Sequence, residues 1–374
     1  MNRKIKVLHV IKSLGRGGAE MLLPETLRVH NKDQFEFHYI YFLPWKDAMV
    51  GSILEHGGKV TCIAARNNIE LLFKSKAVAK YAKMHGMDLI HAHLPWAGIA
   101  SRIAGKLSGV PVMYTEHNKQ ERYHIATRLA NLFTLNWLKK VIAVSEDVEQ
   151  SIRKHKKNLK ASLITILNGV NTDRFAPGQF QREEVREKFN IPADAPVIGT
   201  IAVFRFQKRL DLWIEIAKKI LEHRPEAHFI IVGDGPLKEQ LLEKQKQLNF
   251  ESRLHFAGTQ TEVRPYLSTF DLYMMTSIFE GLPIALLEAM ALECAVVSTN
   301  AGGIKEVIRP GIDGLLCEVE EPERLVEFAI ELITDAKKRN ALALQARKRV
   351  KEEFSMERMV KELEDVYKQE VKAY

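Results

Sequence analysis

Short, almost wholly apolar runs alternate with helix-forming stretches along nearly the whole chain, and the series is played twice. IKVLHVI (5–11), FEFHYIYFL (35–43), KVTCIA (59–64), MDLIHAHL (87–94), VPVMYTEH (110–117), KKVIAVSE (139–146) and the strand that opens LITILNGVNTDRFAPGQF (163–180) make the first set. APVIGTIAVF (195–204), HFIIVGDG (228–235), RLHFAG (253–258), LYMMTS (272–277), AVVSTNAGG (295–303) and LLCEV (315–319) make the second. Strands this apolar belong in a parallel sheet covered by helices on both faces. The pattern predicts an α/β chain of two Rossmann-like, doubly wound domains facing each other across a cleft. The first is predicted over 1–178 and the second over 190–353, divided by the Asn-Gly and Pro-Gly turns of NGVNTDRFAPGQF and a short charged helix and turn, REEVREKFNIPADAP. Residues 322–350 read as one long charged helix. A last helix is predicted over 354–374, where Leu363, Val366, Tyr367 and Val371 share an apolar face that must dock on something.

A length of 374 residues with 46% hydrophobic composition suits two domains, and no run approaches the roughly 18 apolar residues of a membrane-crossing helix. The opening MNRKIKVLHVI lacks a small-residue cleavage pattern and reads as a first strand, not a signal peptide. Cys62, Cys294 and Cys317 are too scattered for a disulfide framework or a spaced metal site, so a cytoplasmic location is expected. The net charge of +8 is unevenly held. Residues 1–180 carry 27 Lys and Arg against 14 Asp and Glu, a net of +13, which leaves 28 against 33, a net of −5, for the remainder. A basic front half calls for an anionic partner, with a membrane surface, a lipid phosphate and nucleic acid as the candidate classes.

The stretch SIFEGLPIALLEAMALE (277–293) concentrates the chemistry. Pro283 is predicted at the first helical position, where its missing N–H costs nothing, so Glu280, Gly281 and Leu282 lie in the preceding loop. From Ile284 the residues are strong helix formers and nearly all apolar, which predicts a buried helix with Glu288 inside its apolar run. A carboxylate there is expensive unless something hydrogen-bonds it, while the unpaired N–H groups of the first turn favour an anion. These residue types suit a phosphate at the helix start and hydroxyl groups against the two carboxylates. The plainer alternative is a helix with one capping acid and one solvated acid.

Other polar residues collect at the ends of predicted strands, where doubly wound sheets bind ligands. The loop of Gly15, Gly17 and Gly18 behind the first strand lets backbone approach a ligand, or is a plain tight turn before a helix beginning near Glu20. His91 and His93 share one strand face; with no third ligand at matching spacing they read as a polar cleft wall rather than a metal site. Thr115, Glu116 and His117 close another strand, and His117 either donates to a substrate or caps a neighbouring loop. Arg205 and Lys208 lie between the first strand and first helix of the second domain, placed to clamp a diphosphate or to form a solvated basic turn. Gly233 with Asp234 and Gly235, and Gly302 with Gly303, make further strand-end turns. No Asp-x-Asp triplet occurs, so a divalent metal bridging a diphosphate to paired aspartates is not expected.

The motifs GRGGAE, IHAH, TEH, AVS, NGVNTDRFAP, FRFQK, VGDGP, EGLPIALLEAMA, TNAGGIKEVI and GIDGLL follow one another in a family's order, and over essentially its whole length the chain resembles the retaining glycosyltransferases of family 4. The resemblance implies the GT-B fold, an acceptor-side first domain, a donor-binding second domain, and a last helix that returns to the first. It implies that Glu280 hydrogen-bonds the donor sugar near the reacting carbon and that Glu288 holds the nucleotide ribose. Arg205 and Lys208 resemble the pair that neutralises the departing diphosphate, Gly17 and Gly18 the front loop that closes on it, and His117 a residue near the transferred sugar. Gly233, Gly281, Leu282, Pro283 and Ile284 fall in the donor-binding segments. One departure is visible. Family members commonly carry the arginine five before the lysine, directly after a glycine, whereas that position is Val203 and Arg205 stands three before Lys208.

The implied activity is transfer of a sugar, with retention, from a UDP- or GDP-sugar to a lipid-linked or cell-surface glycan precursor, without cofactor or metal. Lys74, Lys76, Lys80 and Lys83 on one predicted helix, and Arg122, Arg128, Lys139 and Lys140 around ANLFTLNWL, combine charge with apolar residues as surface-lying helices do. They predict a peripheral place on an anionic membrane surface, with a solvated helix face as the alternative. A nucleotide-sugar epimerase or phosphorylase of the same architecture is the rival enzyme reading. A basic nucleic-acid-binding protein would explain the charge, but no RNA- or DNA-binding module is recognisable, so no nucleic-acid partner is expected.

Overall fold

The computed structural model describes residues 3–372. The two residues at each end, assigned from the sequence to the first domain and the last helix, lie outside the described residues. The chain divides into two compact units: one runs to Asn168 and resumes at Met356, the other is Gly169–Ser355. The division falls ahead of the predicted 178, because the NGVNTDRFAP stretch packs with the second unit. There the Val170 N–H donates to the Phe354 carbonyl at 2.9 Å and Arg347 donates to the Phe175 carbonyl at 3.0 Å.

The first unit is a seven-stranded sheet of β1 (Ile5–Val10), β2 (Phe35–Tyr41), β3 (Lys59–Cys62), β4 (Leu89–His93), β5 (Val112–Glu116), β6 (Lys140–Ala143) and β7 (Ser162–Thr165). The strands are all parallel, in the order β3-β2-β1-β4-β5-β6-β7. Val7, Leu8, Val10, Ile90, Val141 and Ile142 are fully or almost fully buried, as strands covered on both faces require. The helix Met356–Lys372 closes one face, packing on helix Gly18–Val29 and on β4, and Tyr367 on its apolar side is completely buried.

The second unit is a six-stranded parallel sheet of β8 (Val197–Ile201), β9 (His228–Val232), β10 (Leu254–Gly258), β11 (Leu272–Met275), β12 (Ala295–Thr299) and β13 (Leu315–Cys317), in the order β10-β9-β8-β11-β12-β13. Trp213, Phe229, Phe250 and Leu272 anchor its core. The long helix predicted over 322–350 is in fact two, Arg324–Thr334 and Ala336–Glu353. Asp335 breaks it: its carboxylate accepts from the Lys338 N–H at 2.9 Å and starts the second helix, as a short acidic side chain at a cap does. In each unit the strand order reverses beside the first strand, between β1 and β4 and between β8 and β11. Such switch points open a crevice at the carboxyl ends of the strands.

Candidate functional site

In the second unit β8 and β11 are neighbours across the switch point, with Ile198 opposite Leu272 and Gly199 opposite Tyr273. The chain leaving β8 runs to Lys208 and the chain leaving β11 runs to Glu280. Lys208 Nζ and Glu280 Oε1 meet at 2.5 Å, their side chains only 20% and 11% exposed. Ser277 Oγ donates to the same Glu280 oxygen at 2.6 Å, and Thr299 Oγ1 at the end of β12 donates to the Ser277 carbonyl at 2.6 Å. The two loops are also stitched through backbone: Ile278 N–H donates to the Gln207 carbonyl and Thr276 Oγ1 to the Lys208 carbonyl, both at 2.9 Å. Arg209, next to Lys208, holds φ at +46°, a left-handed conformation uncommon outside glycine that turns the chain sharply into helix Leu210–His223.

Gly281, Leu282 and Pro283 carry the chain from Glu280 into helix Ile284–Ala291. Pro283 sits at the cap rather than at the predicted first helical position: its φ of −73° suits either place, but its ψ of 117° is extended, so the helix starts one residue later. No side chain among the described residues caps this helix, so its first N–H groups are not satisfied in that way. Glu288 is buried on the helix. Burial pushes the Tyr273 hydroxyl above its ordinary pKa, and the negative charges of Glu288 and Glu280 add to the rise, so both carboxylates bear on one buried phenol. The Gly303 N–H reaches the Glu280 carbonyl at 3.4 Å, which brings the Gly302–Gly303 turn to the same loop. Gly233 ends β9 with φ +131°, and a Cβ there would overlap the carbonyl oxygen of Ala202, so glycine is required. Arg205 is not drawn into this group. It is exposed ahead of the short turn Phe206–Lys208, and no carboxylate among the described residues pairs with it.

Gly17, Gly18 and His117 belong to the first unit. Gly17 is the cap of helix Gly18–Val29, which starts two residues before the predicted Glu20. His117 follows β5 and joins a chain of imidazoles: its Nε2 lies 3.2 Å from His93 Nδ1, and His93 Nε2 lies 3.0 Å from His9 Nδ1. His91 is held by Tyr367 Oη at 2.8 Å and Thr115 Oγ1 at 2.7 Å. His9 is the third imidazole that sequence spacing failed to disclose, since ligand atoms of His9, His91 and His93 all lie within 4.8 Å of one another. Five of their six ring nitrogens are engaged in hydrogen bonds and the remaining one, His9 Nε2, is buried without a partner, so the cluster works as a hydrogen-bond chain that ends at His117. Burial lowers every member, His117 to about 4, His91 to about 3, and His9 and His93 well below the usual value, which keeps all four neutral at neutral pH. Leu94, directly after His93, holds φ at +66°, the first unit's counterpart of Arg209.

Residues 16–174 match the model of Glycosyltransferase Family 4, and residues 181–349 match that of Glycosyl transferases group 1. The chain belongs to the family 4 glycosyltransferases. This glycosyltransferase is 26% identical over 382 aligned residues, 97% of each chain, to the UDP-Gal:alpha-D-GlcNAc-diphosphoundecaprenol alpha-1,3-galactosyltransferase of Escherichia coli. It is 28% identical to the N-acetyl-alpha-D-glucosaminyl L-malate synthase of Bacillus anthracis over 80% of its own length and 78% of the relative's. The solved structure of Anabaena HepE in complex with UDP and glucose matches it with a TM-score of 0.87 at 22% identity, covering 98% of this chain and 100% of that one, so the fold is GT-B. The site also contains residues that the sequence pattern does not single out. Ser277 and Thr299 brace Glu280, and their only signal was position at strand ends. Glu116, noted merely as a strand-end polar residue, proves to be a fully buried carboxylate that accepts from Tyr114 Oη, Gln120 Nε2 and Asn131 Nδ2 and from the backbone N–H of His117. It fixes the loop that carries His117.

Proposed function

We propose that this glycosyltransferase moves a hexosyl group, with retention, from a UDP- or GDP-sugar to a lipid-linked or cell-surface glycan precursor. The observation that carries the reading is the shielded Lys208–Glu280 pair beside an uncapped helix start. A departing diphosphate is stabilised by cations and N–H donors fixed where negative charge develops. Lys208 and the N–H groups around Ile284 supply them, with the exposed Arg205 adding charge at the margin; Gly233 and Gly281 present no side chain to the phosphates, and Leu282 and Pro283 carry the backbone into the helix start. Glu280 exchanges part of its contact with Lys208 for hydroxyls of the donor sugar, and Glu288 takes the ribose hydroxyls. The resemblance gives Gly17 and Gly18 a place on the diphosphate and His117 a place on the transferred sugar, where a neutral imidazole suits a hydroxyl. With the diphosphate neutralised by the chain's own cations, neither metal nor cofactor is required, and the leaving phosphate takes the acceptor proton.

The names of two relatives support a uracil nucleotide and a polysaccharide or lipid-linked setting: one uses UDP-Gal with a diphosphoundecaprenol acceptor, and HepE is bound to UDP and glucose. No helix among the described residues is long and apolar enough to cross a membrane. The proposed location is the cytoplasm, peripheral on the inner face of the membrane through the basic front half. Calorimetry against UDP, GDP and ADP tests the donor class: UDP or GDP binds most tightly, and no binding by any of them would defeat the reading. Retention is read from the product anomer by NMR, where an inverted linkage is the contrary result. Turnover unchanged by a chelator is expected, and its loss would overturn metal independence.

A further inference from the structure

Helix Ile125–Thr134 and the short turn Leu135–Trp137 present an apolar ridge to solvent. Ile125, Leu129, Phe133 and Trp137 recur every four residues and stand 59%, 60%, 72% and 40% exposed. Side chains four apart on a helix form one row, so this is a continuous strip rather than scattered surface residues. The helix beneath is firmly mounted: Asn131 Nδ2 donates to Glu116, and the buried Arg102 donates to Asn131 Oδ1 at 3.0 Å and Thr134 Oγ1 at 2.7 Å. The ridge is therefore preorganised, not a loose segment that happens to lie open.

Cations flank it on one side. Lys106 Nζ lies 3.4 Å above the Trp137 ring, and its neighbour Leu107 lines a shallow groove with Lys76, Lys80, Lys83 and Met84. Neither helix Ser75–Met84 nor helix Ile125–Thr134 contains an Asp or Glu. Phe73, 77% exposed, precedes the first of these helices. Not every predicted cation joins in: Lys74 pairs with Glu70 at 3.5 Å, and Lys140, largely covered, pairs with Glu370 at 3.5 Å. Aromatic and aliphatic side chains beside lysines that pair with no carboxylate among the described residues match the boundary of an anionic bilayer, where apolar tips enter between headgroups and ammonium groups meet lipid phosphates.

We infer that the Ile125–Leu129–Phe133–Trp137 ridge with the adjoining Lys76–Lys80–Lys83 face is the seat on which the first unit docks to an anionic lipid surface. This deepens the reading of a lipid-linked acceptor and rests on it for its purpose. Docking itself needs no acceptor, so the two fail separately.

The test is partitioning of the full chain onto vesicles of phosphatidylglycerol with phosphatidylcholine, and onto phosphatidylcholine alone, at low salt. The wild type is expected to prefer the anionic vesicles, with Trp137 fluorescence shifting to the blue. L129E/F133E and K76E/K80E/K83E are each expected to weaken that binding by about ten-fold or more. Both variants should keep the wild-type thermal shift with UDP or GDP, which shows that they fold and that donor binding stands apart. Three results would overturn the inference: equal binding to both vesicle types, a ridge variant that partitions like wild type, or a wild-type dimer that L129E/F133E converts to monomer, which would make the ridge a self-association surface.

Discussion

The two units build the same doubly wound sheet and finish it with opposite chemistry. On β1, at the end of β4 and just past β5 the first unit gathers neutral imidazoles, His9, His93 and His117, each holding the next. Beyond β8 and β11 the second gathers an ammonium and a carboxylate beside helix N–H groups. Position relative to the strand explains the difference. His9 and His93 lie on or at the end of strands and are almost wholly buried, so burial strips their charge. Lys208 and Glu280 stand several residues past their strands, keep some exposure and neutralise each other. A buried neutral chain can hold hydroxyl groups, whereas only the charged end can stabilise a departing diphosphate. The architecture supplies the crevice, and distance from the strand end decides what kind of grip fills it.

The largest effect should come from the charged end. Lys208→Ala and Glu280→Ala are each expected to lower turnover by about 10²–10³-fold with an unchanged circular dichroism spectrum, as removal of a preorganised charge at a reacting phosphate does. A near-normal rate in either purified variant would break the contrast between the units.

The neutral end should respond in stability instead. Glu116→Leu strands the donors of Tyr114, Gln120 and Asn131, and urea unfolding should show a loss of about 3–5 kcal/mol. Glu116→Gln, which keeps an acceptor, should lose less. Equal losses would mean that the network's hydrogen bonds are not what holds the His117 loop.

Acid should then separate the units. The folded-state values of His9, His91, His93 and His117 lie below that of an unfolded histidine, so below about pH 6.5 the unfolded chain binds protons that the folded chain refuses. Their contribution is complete above pH 6.5 and is lost as pH falls toward 4, by up to about 1.4 kcal/mol per pH unit for each histidine. In the second unit only His228 and His255 are lowered in this way among the described histidines, both to about 4. Hydrogen exchange corrected for intrinsic rate should show β1, β4 and β5 opening before β8 and β11; the reverse order would contradict the assignment. The smallest effect is expected at Arg205, exposed and unpaired, where Arg205→Ala should change donor KM by less than about ten-fold.

Much of this was readable before the structure. Parallel strands are buried on both faces and so announce themselves as apolar runs, which is why both sheets and the Glu280–Ile284 loop and helix stood out. Lys208 and Glu280 were each identifiable, but their 2.5 Å contact depends on β8 lying beside β11, and strand order leaves no mark in a linear pattern. The same holds for His9, whose place inside an apolar strand looked like core until β1 was set against β4. Asp335 was lost within a run of charged helix formers, where one cap residue has no periodicity to reveal it. The bracing of Glu280 by Ser277 and Thr299 was invisible because hydroxyls at strand ends are common and only their direction matters.

In the proposed reaction Lys208 and the neighbouring helix start hold the donor diphosphate. Calorimetric titration of wild type and Lys208→Ala with the nucleoside diphosphate and monophosphate of the donor base tests it most directly. Wild type should bind the diphosphate more tightly, by about ten-fold or more, and the variant should lose most of this preference. A preference that survives in Lys208→Ala would place the diphosphate elsewhere.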